Sequence, residues 1–413
     1  MNEGSRVPPK PPLAWDRSAR GALSGVKVLD LSRFIAGPLC AQNLGDLGAD
    51  VIKVESPDGE DARRTSPAVN GKAVYTMLYN RNKRAITLNA RSATGRQLLG
   101  RLAQWADVIV ENFRPGTLDK MGLGADALRA ANPSVILVSI SGYGQSGPYR
   151  DRALFDCIAQ AMSGLMDMNA DSDGLPRLSK MFPADTLAAT QATAATLAAL
   201  FHRERSGEGQ TVDVAVLDSL VAALGTALPA SLMVGATAAH RGNRDDFNAP
   251  ANAFEVLDGL VYLHAGTDAL WTRLCTGVLG RPELAVDERY SSQAARVARV
   301  AELEHLVAGW TSVRTGSEVE EVLARAGIPC ARIADVATAA GNEQLWHRDM
   351  LFHAHDTDGD DLYLLGYPAR FSASPVTMRY PPAAIGEHTD EILRELLELD
   401  DAEIATLRES GVI

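Results

Sequence analysis

Three short segments of the sequence hold side chains whose types and spacing could do chemistry. Asn80-Arg81-Asn82-Lys83-Arg84 is a dense basic cluster just ahead of an apolar run. Glu111-Asn112-Phe113-Arg114-Pro115-Gly116, with Lys120 after it, follows a second run, at the end of a strand where α/β sheets bind ligands. Pro183-Ala184-Asp185 opens an alanine-rich stretch. Two cationic loops near one sheet edge could hold the phosphates of a nucleotide-like ligand. On charge alone, Lys83 and Arg84 read equally well as exposed charges flanking a strand. Asp185 is open in the same way. As an N-cap it would stabilise its helix by about 1 kcal/mol. As a functional group, it would be kept ionised by the helix N-terminus, beside N–H donors for a developing oxyanion.

Other chemistries lack their residues. The turn Ser32-Arg33-Phe34-Ile35-Ala36-Gly37-Pro38 has no GxGxxG, so the close approach of backbone to a pyrophosphate is missing. Glu55, placed where a ribose-binding acid would sit, then reads as a solvated strand end. His353-Ala354-His355-Asp356, with Asp358, Asp360 and Asp361, has metal-ligand types. Its acids straddle the turn pair Asp358-Gly359, so a polar hairpin tip is the expectation, with no metal. The sequence has no GxSxG, no P-loop and no Cys–His pairing signal.

The elements that must position these residues are legible as alternating periods. Val26–Leu31, Asp50–Glu55, Ala85–Leu88, Val108–Val110 and Val135–Ile140 are short apolar runs. Helical patterns lie among them at Gly37–Gly48, Ser92–Trp105 and Asp126–Ala131. That alternation predicts a parallel sheet covered on both faces. Asp185–Arg205 reads as a long helix ended by Gly207, and Thr211–Val216 as a further strand. Asp258-Gly259 predicts a hairpin between Ala251–Val256 and Leu260–His264, with helices to follow. The expected organisation is a leader over 1–22 and the first part of a large domain over 23–225. A linker over 226–244 leads to a small α+β domain over 245–335, and 336–413 return to the large domain with a final helix near Asp390–Glu398.

Lys+Arg 40 against Asp+Glu 52 leaves a formal net charge of −12, which argues against nucleic acid or an anionic membrane as partner. A hydrophobic share of 46% with 22% charged residues is that of a globular chain. Four scattered cysteines without CxxC spacing exclude a thiolate zinc site and suit a reducing compartment. No apolar run nears the roughly 20 residues of a membrane span, and the N-terminus shows no signal peptide, so a cytoplasmic enzyme is expected.

Five ordered motifs carry a resemblance. Gly25–Glu55 (GVKVLDLSRFIAGPLCAQNLGDLGADVIKVE), NRNKR, ENFRPGTLDKMGLG, SISGYGQSGPY and FPADTLAA resemble the class III coenzyme A transferases, the CaiB/BaiF-type relatives of formyl-CoA transferase. The similarity runs from about residue 23 to the C-terminus, including the closing GEHTDEILRELL and the terminal Gly411-Val412-Ile413. It implies a Rossmann-like α/β large domain with a parallel sheet, a smaller α+β domain, and two subunits interlinked as a homodimer. It implies no tightly bound cofactor, with a coenzyme A thioester and a carboxylic acid as substrates. Asp185 would be the nucleophile, passing through a mixed anhydride and an aspartyl-CoA thioester. Ile35, Ala36, Asn80, Asn82, Lys83, Arg84, Asn112, Phe113 and Lys120 fall where the family holds coenzyme A. Phe113 would stack on adenine, with Lys83, Arg84 and Lys120 on phosphates.

Two departures bear on the acid. Ile35 stands where formyl-CoA:oxalate enzymes resemble one another in having Gln, and Phe247–Asn252 lacks the glycine-rich lid of those enzymes. An apolar wall predicts a C4–C6 dicarboxylate or a branched or unsaturated acid in place of oxalate, with Arg33 or Arg177 as the cation for a distal carboxylate. Met162, Met166, Met168 and Met181 read as acyl-pocket lining or as plain core. The α-methylacyl-CoA racemases resemble this chain too, but need a histidine where Phe155 stands, and Phe cannot be a general base. An acyl-CoA hydrolase would need only water in place of the acid.

Overall fold

The apolar runs after Gly25 become one parallel sheet because each is buried on both faces. The computed structural model describes residues 10–413. Strands β1 (Lys27–Asp30), β2 (Asp50–Glu55), β3 (Lys83–Thr87), β4 (Val108–Glu111), β5 (Ile136–Ser141) and β6 (Thr211–Ala215) lie in the order β3-β2-β1-β4-β5-β6. All neighbours are parallel, with Val28 opposite both Val51 and Val108. The order reverses between β1 and β4, so a crevice opens outside their C-terminal ends.

Helices cover both faces. On one, α1 (Ala36–Asp46) meets the long helix Pro183–Ser206. Cys40, Ala41 and Leu44 are buried there with Ala184, Ala188, Ala189 and Ala192, against Val28, Val110 and Ile140. Alanine at these positions keeps side-chain bulk small where two helices and a sheet converge. On the other face, Leu98, Leu99 and Leu102 of Ala93–Trp105 bury against Leu29, Ile52 and Ile109, with Ile392, Leu393 and Leu397 of Thr389–Leu397. Each such side chain contributes roughly 1.5–3 kcal/mol, so apolar burial rather than helix propensity holds these helices.

Two compact units divide the chain. The sheet belongs to the unit made of the described residues up to Leu165, Leu178–Pro229 and Glu343–Ile413. The other unit includes Met166–Arg177 and Ala230–Asn342. It carries an antiparallel sheet in which Gly259–His264 lies between Ala251–Val256 and Cys330–Arg332. Phe254, Val261, Trp271, Leu303, Val319 and Leu323 form its core.

Several expectations are corrected. The linker over 226–244 contains the helix Ala227–Val234, whose Ala, Leu and Met favour helix and whose Pro229 sits harmlessly in the first turn. The leader is tied down from residue 10 on. Leu13 N donates to His353 O (2.7 Å), Trp15 Nε1 to His355 O (2.7 Å), and both side chains pack on Phe352 and Leu364. Residues 1–9 of that leader lie outside the described residues. The polar hairpin tip expected at Asp358-Gly359 is present, formed by Leu351–His355 pairing antiparallel with Asp361–Leu365, though Leu351–His355 was not itself read as a strand; Asp401–Glu409 is a further helix that was not expected. Glu55 is buried, not solvated, and accepts from Arg63 Nε (2.7 Å).

The basic cluster is an interior feature. Lys83 is 1% exposed and donates to Asp30 Oδ2 (2.8 Å), Pro38 O (2.8 Å) and Asn80 Oδ1 (3.0 Å), which accounts for all three ammonium protons. Arg84 is buried against Asp50 (2.8 Å) and Glu395 (2.7 Å), Arg81 against Asp46 (2.6 Å). Asn82 donates to Asp46 Oδ1 (2.7 Å) and Thr377 O (2.8 Å). Burial overturns the exposed-flank reading of Lys83 and Arg84, and as placed Lys83 has no proton left for a phosphate.

Removing one partner of a buried ion pair strands the other charge, at a cost of roughly 3–5 kcal/mol. Lys83→Ala is therefore expected to lower the free energy of unfolding by about that amount in guanidinium titrations, whereas Lys120→Ala, on the surface, leaves it unchanged. An unaltered midpoint for Lys83→Ala would show that this lysine is not structural.

Candidate active site

The crevice between β1 and β4 holds a cavity of about 410 Å³. The loop after β1 contributes Arg33, Phe34, Ile35 and Ala36, and the loop after β4 contributes Asn112, Phe113, Arg114 and Pro115. From the segment after β5 come Arg150, Arg152, Leu154 and Phe155, and Asp185 completes the lining with Val216.

The β1 loop is held by charge and hydrogen bonding from below. Asp30 accepts from Ser32 N (2.9 Å) and from the Ser32 hydroxyl. Lys53, itself buried, donates to Ser32 O (2.9 Å) and pairs with Glu60 (3.1 Å), whose other oxygen accepts from Phe34 N (3.0 Å). Asn112 grips Arg33 at both ends: its Oδ1 accepts from Arg33 N (2.8 Å) and its Nδ2 donates to Arg33 O (2.7 Å). Phe34 is thereby fixed at φ +64, a left-handed conformation that costs a bulky residue free energy. Glycine is required at position 37, where a Cβ would lie 2.1 Å from Ser32 Cβ. The loop then turns into α1, with Ile35 among the lining residues though only 1% exposed.

Asp185 is not an N-cap. The cap position is Phe182, and Asp185 is the third residue of the helix Pro183–Ser206. Among the described residues no group donates a hydrogen bond to its carboxylate. The N–H groups at this helix start are taken by Asp156, the buried first residue of Asp156–Ser163. Asp156 Oδ1 accepts from Ala184 N (2.7 Å) and Asp185 N (3.3 Å), and its Oδ2 accepts from Gln160 Nε2 (2.6 Å). The expected donors for an oxyanion are thus occupied. Burial first, and the negative charge of Asp156 second, push the Asp185 carboxyl up to about 7. This reverses the expectation that the helix start keeps it readily ionised. Tyr75 and Tyr79, from Val74–Tyr79, lie near enough that burial and then neighbouring charge, Asp185 included, push their hydroxyls up.

Four arginines face the same cavity in an otherwise acidic protein. Arg33 has a distant partner in Asp61 (3.8 Å), Arg150 in Asp151 (4.0 Å), and Arg152 lies over the Tyr149 ring at 4.0 Å. Their positive potential suits an anionic substrate.

Of the residues expected at the site, the structure brings Ile35, Ala36, Asn112, Phe113 and Asp185 together. Asn80, Asn82, Lys83 and Arg84 lie in the buried network described above, and Lys120 is exposed at the end of Thr117–Lys120. Arg33 lines the cavity, while Arg177 belongs to the other unit and is paired with Asp171 and Asp173 (both 2.8 Å). Arg150, Arg152 and Asp156 were missed. Phe155, 66% exposed, lines the cavity with no proton to exchange. A second cavity of about 700 Å³ opens on the β2 side and shares Arg33, Phe113 and Thr117. Away from the crevice, the ammonium of Lys72 is ringed by Asp356, Asp358 and Asp360, and Asp361 is hydrogen-bonded to His353 (2.8 Å) at the exposed hairpin face.

Comparison with known proteins identifies what the whole chain is similar to. The model of CoA-transferase family III matches residues 23–389. Succinyl-CoA–D-citramalate CoA-transferase of Chloroflexus aurantiacus is 35% identical over 99% of this chain and all of that protein. Succinyl-CoA:glutarate CoA-transferase of Mus musculus is 36% identical over 95% of this chain and 90% of its own length. A crystal structure of a CaiB/BaiF family protein from Brucella suis superposes with a TM-score of 0.81 at 37% identity, covering 91% of this chain and all of its own.

A carboxyl whose folded value is raised from 3.8 to about 7 favours the folded state while protonated, and that contribution is lost as pH climbs through this window. Asp185→Asn is therefore expected to melt close to the wild type near pH 4 and increasingly above it by pH 8, the gain levelling off beyond about 7. Calorimetry across that range checks it; a pH-independent difference would mean that Asp185 is not held neutral.

Proposed function

The chain belongs to CoA-transferase family III, and from that premise we propose that Asp185 is the covalent relay in a transfer of coenzyme A between carboxylic acids. What supports the reading above all is a carboxylate with no hydrogen-bond donor of its own, set in an arginine-lined crevice at the switch point of the sheet.

In the first step, a carboxylate oxygen of Asp185 attacks the thioester carbonyl, the C–S bond breaks, and an acyl-aspartyl anhydride forms with coenzyme A leaving as thiolate. The thiolate attacks the aspartyl carbonyl, which expels the donor acid as carboxylate and leaves an aspartyl-CoA thioester. The acceptor carboxylate attacks that carbonyl and releases the thiolate again. The thiolate takes the acceptor acyl group and Asp185 is restored. No net proton is consumed. Splitting the exchange into acyl transfers is covalent catalysis.

The acceptor follows from the lining. Ile35 offers an apolar wall, which discriminates between acids by only about 10–200-fold, while Arg33, Arg114, Arg150 and Arg152 offer cations for a second carboxylate. Both favour a C4–C6 dicarboxylate, in keeping with the succinyl-CoA and glutarate named for the relatives, and neither favours oxalate. Phe155 supplies no base, which disfavours racemisation at the α-carbon.

With succinyl-CoA and no acceptor, the wild type is expected to gain the mass of one coenzyme A less water, carried on the peptide containing Asp185. Asp185→Ala is expected to bind the ester, show no adduct and lose transfer by roughly 10³-fold or more. Near-native turnover in this variant would overturn the mechanism. In competition, succinate and glutarate are expected to exceed oxalate and monocarboxylates; a preference for oxalate would refute the reading of Ile35.

A further inference from the structure

The group that most shapes the surroundings of Asp185 is an acid that does not line the cavity. Asp156 is 5% exposed and spends both oxygens within the protein. Oδ1 accepts from Ala184 N and Asp185 N, and Oδ2 accepts from Gln160 Nε2. Gln160 is fully buried, and its Oε1 accepts from Ser179 N (2.9 Å). One short chain of bonds therefore fixes the strand of backbone entering the helix and the first N–H groups of that helix.

The choice of a charged cap is informative. A neutral Ser, Thr or Asn would satisfy the same N–H groups. Free N–H groups at a helix start stabilise a nearby anion, while a carboxylate bound to them cancels that influence and adds a repulsion of its own. A carboxylate made less comfortable as an anion is a stronger nucleophile, provided enough of it remains ionised at working pH.

We propose that Asp156 is a positioning residue for the transfer: it fixes the helix start that carries Asp185 and, by its charge, withholds stabilisation from the Asp185 carboxylate, making that carboxylate more nucleophilic. The inference rests on Asp185 being the relay. The charged and titratable groups that act on Asp185 or line its cavity are Asp156 from Asp156–Ser163, Tyr75 and Tyr79 from Val74–Tyr79, and Arg33, Arg114, Arg150 and Arg152 from the loops around the cavity. Of these, Asp156 is the negative charge that acts on Asp185, and burial supplies the larger part of its upward displacement.

The test is the pH profile of kcat/KM for succinyl-CoA in Asp156→Asn and Asp156→Ser, both of which keep an acceptor oxygen at the helix start. The acidic limb is expected near pH 7 in the wild type and lower by roughly one unit in both variants. The plateau is expected to fall several-fold, with the Kd for coenzyme A unchanged. Asp156→Glu, which restores the charge, is expected to recover part of the wild-type limb. If either neutral variant that keeps its cooperative melt retains the wild-type limb and plateau, Asp156 is a structural cap only and the proposal fails. Trapping of the aspartyl-CoA adduct on the wild type is read alongside. Its absence would remove the relay itself, whereas an adduct with an unshifted limb would remove only the part given to Asp156.

Discussion

The ion pair of Lys83 with Asp30 lies beneath everything that the crevice does. It links β3 to β1 across β2 with both side chains buried, where the ammonium has three acceptors and the carboxylate has a serine hydroxyl and an N–H as well. Asp30 in turn holds Ser32, Lys53 holds the next carbonyl, and Glu60 holds the amide of Phe34. A dinucleotide-binding sheet of the same strand order shapes this turn with glycines. Here buried charges do it, and a side chain such as Phe34 lines the cavity where glycine would leave bare backbone.

Electrostatics on the two sides of that loop have opposite purposes. Below it, charges are neutralised pairwise and serve geometry. Above it, arginines are left loosely partnered and one carboxyl is left without a donor, so the field is free to act on a ligand. A protein of net charge −12 can attract an anion only where such an imbalance is local. The helix start beside Asp185 repeats the principle at smaller scale, since one acid absorbs the N–H groups and its neighbour receives no hydrogen bond among the described residues.

The strands and long helices were legible because apolar periodicity is a local signal that burial enforces: Val26–Leu31, Asp50–Glu55 and Asp185–Arg205 come within a few residues of their true bounds. The charged residues were not legible, because their partners are remote. Lys83 finds Asp30 at a separation of 53 residues, and Asp156 finds the helix start at 28. A basic run therefore looked like a ligand loop or a solvated flank when it was a core network. Arg150 and Arg152 drew no reading at all, since nothing in the sequence around them marks a cavity wall. Leu351–His355 escaped notice because its alternation mixes His with only two large apolar side chains, and Asp401–Glu409 because its apolar face is thin.

The double grip of Asn112 on Arg33 ties the two jaws of the crevice together. The loops after β1 and β4 cannot part without breaking both bonds. The third wall is the segment from Gly142 to Phe155. Gly144 and Gly147 there adopt positive φ, and Phe155 and the two arginines stand in the open. The crevice is in effect a dock with two piers lashed together and a third wall faced with exposed side chains, so the two tied loops set its floor and the third wall sets its rim.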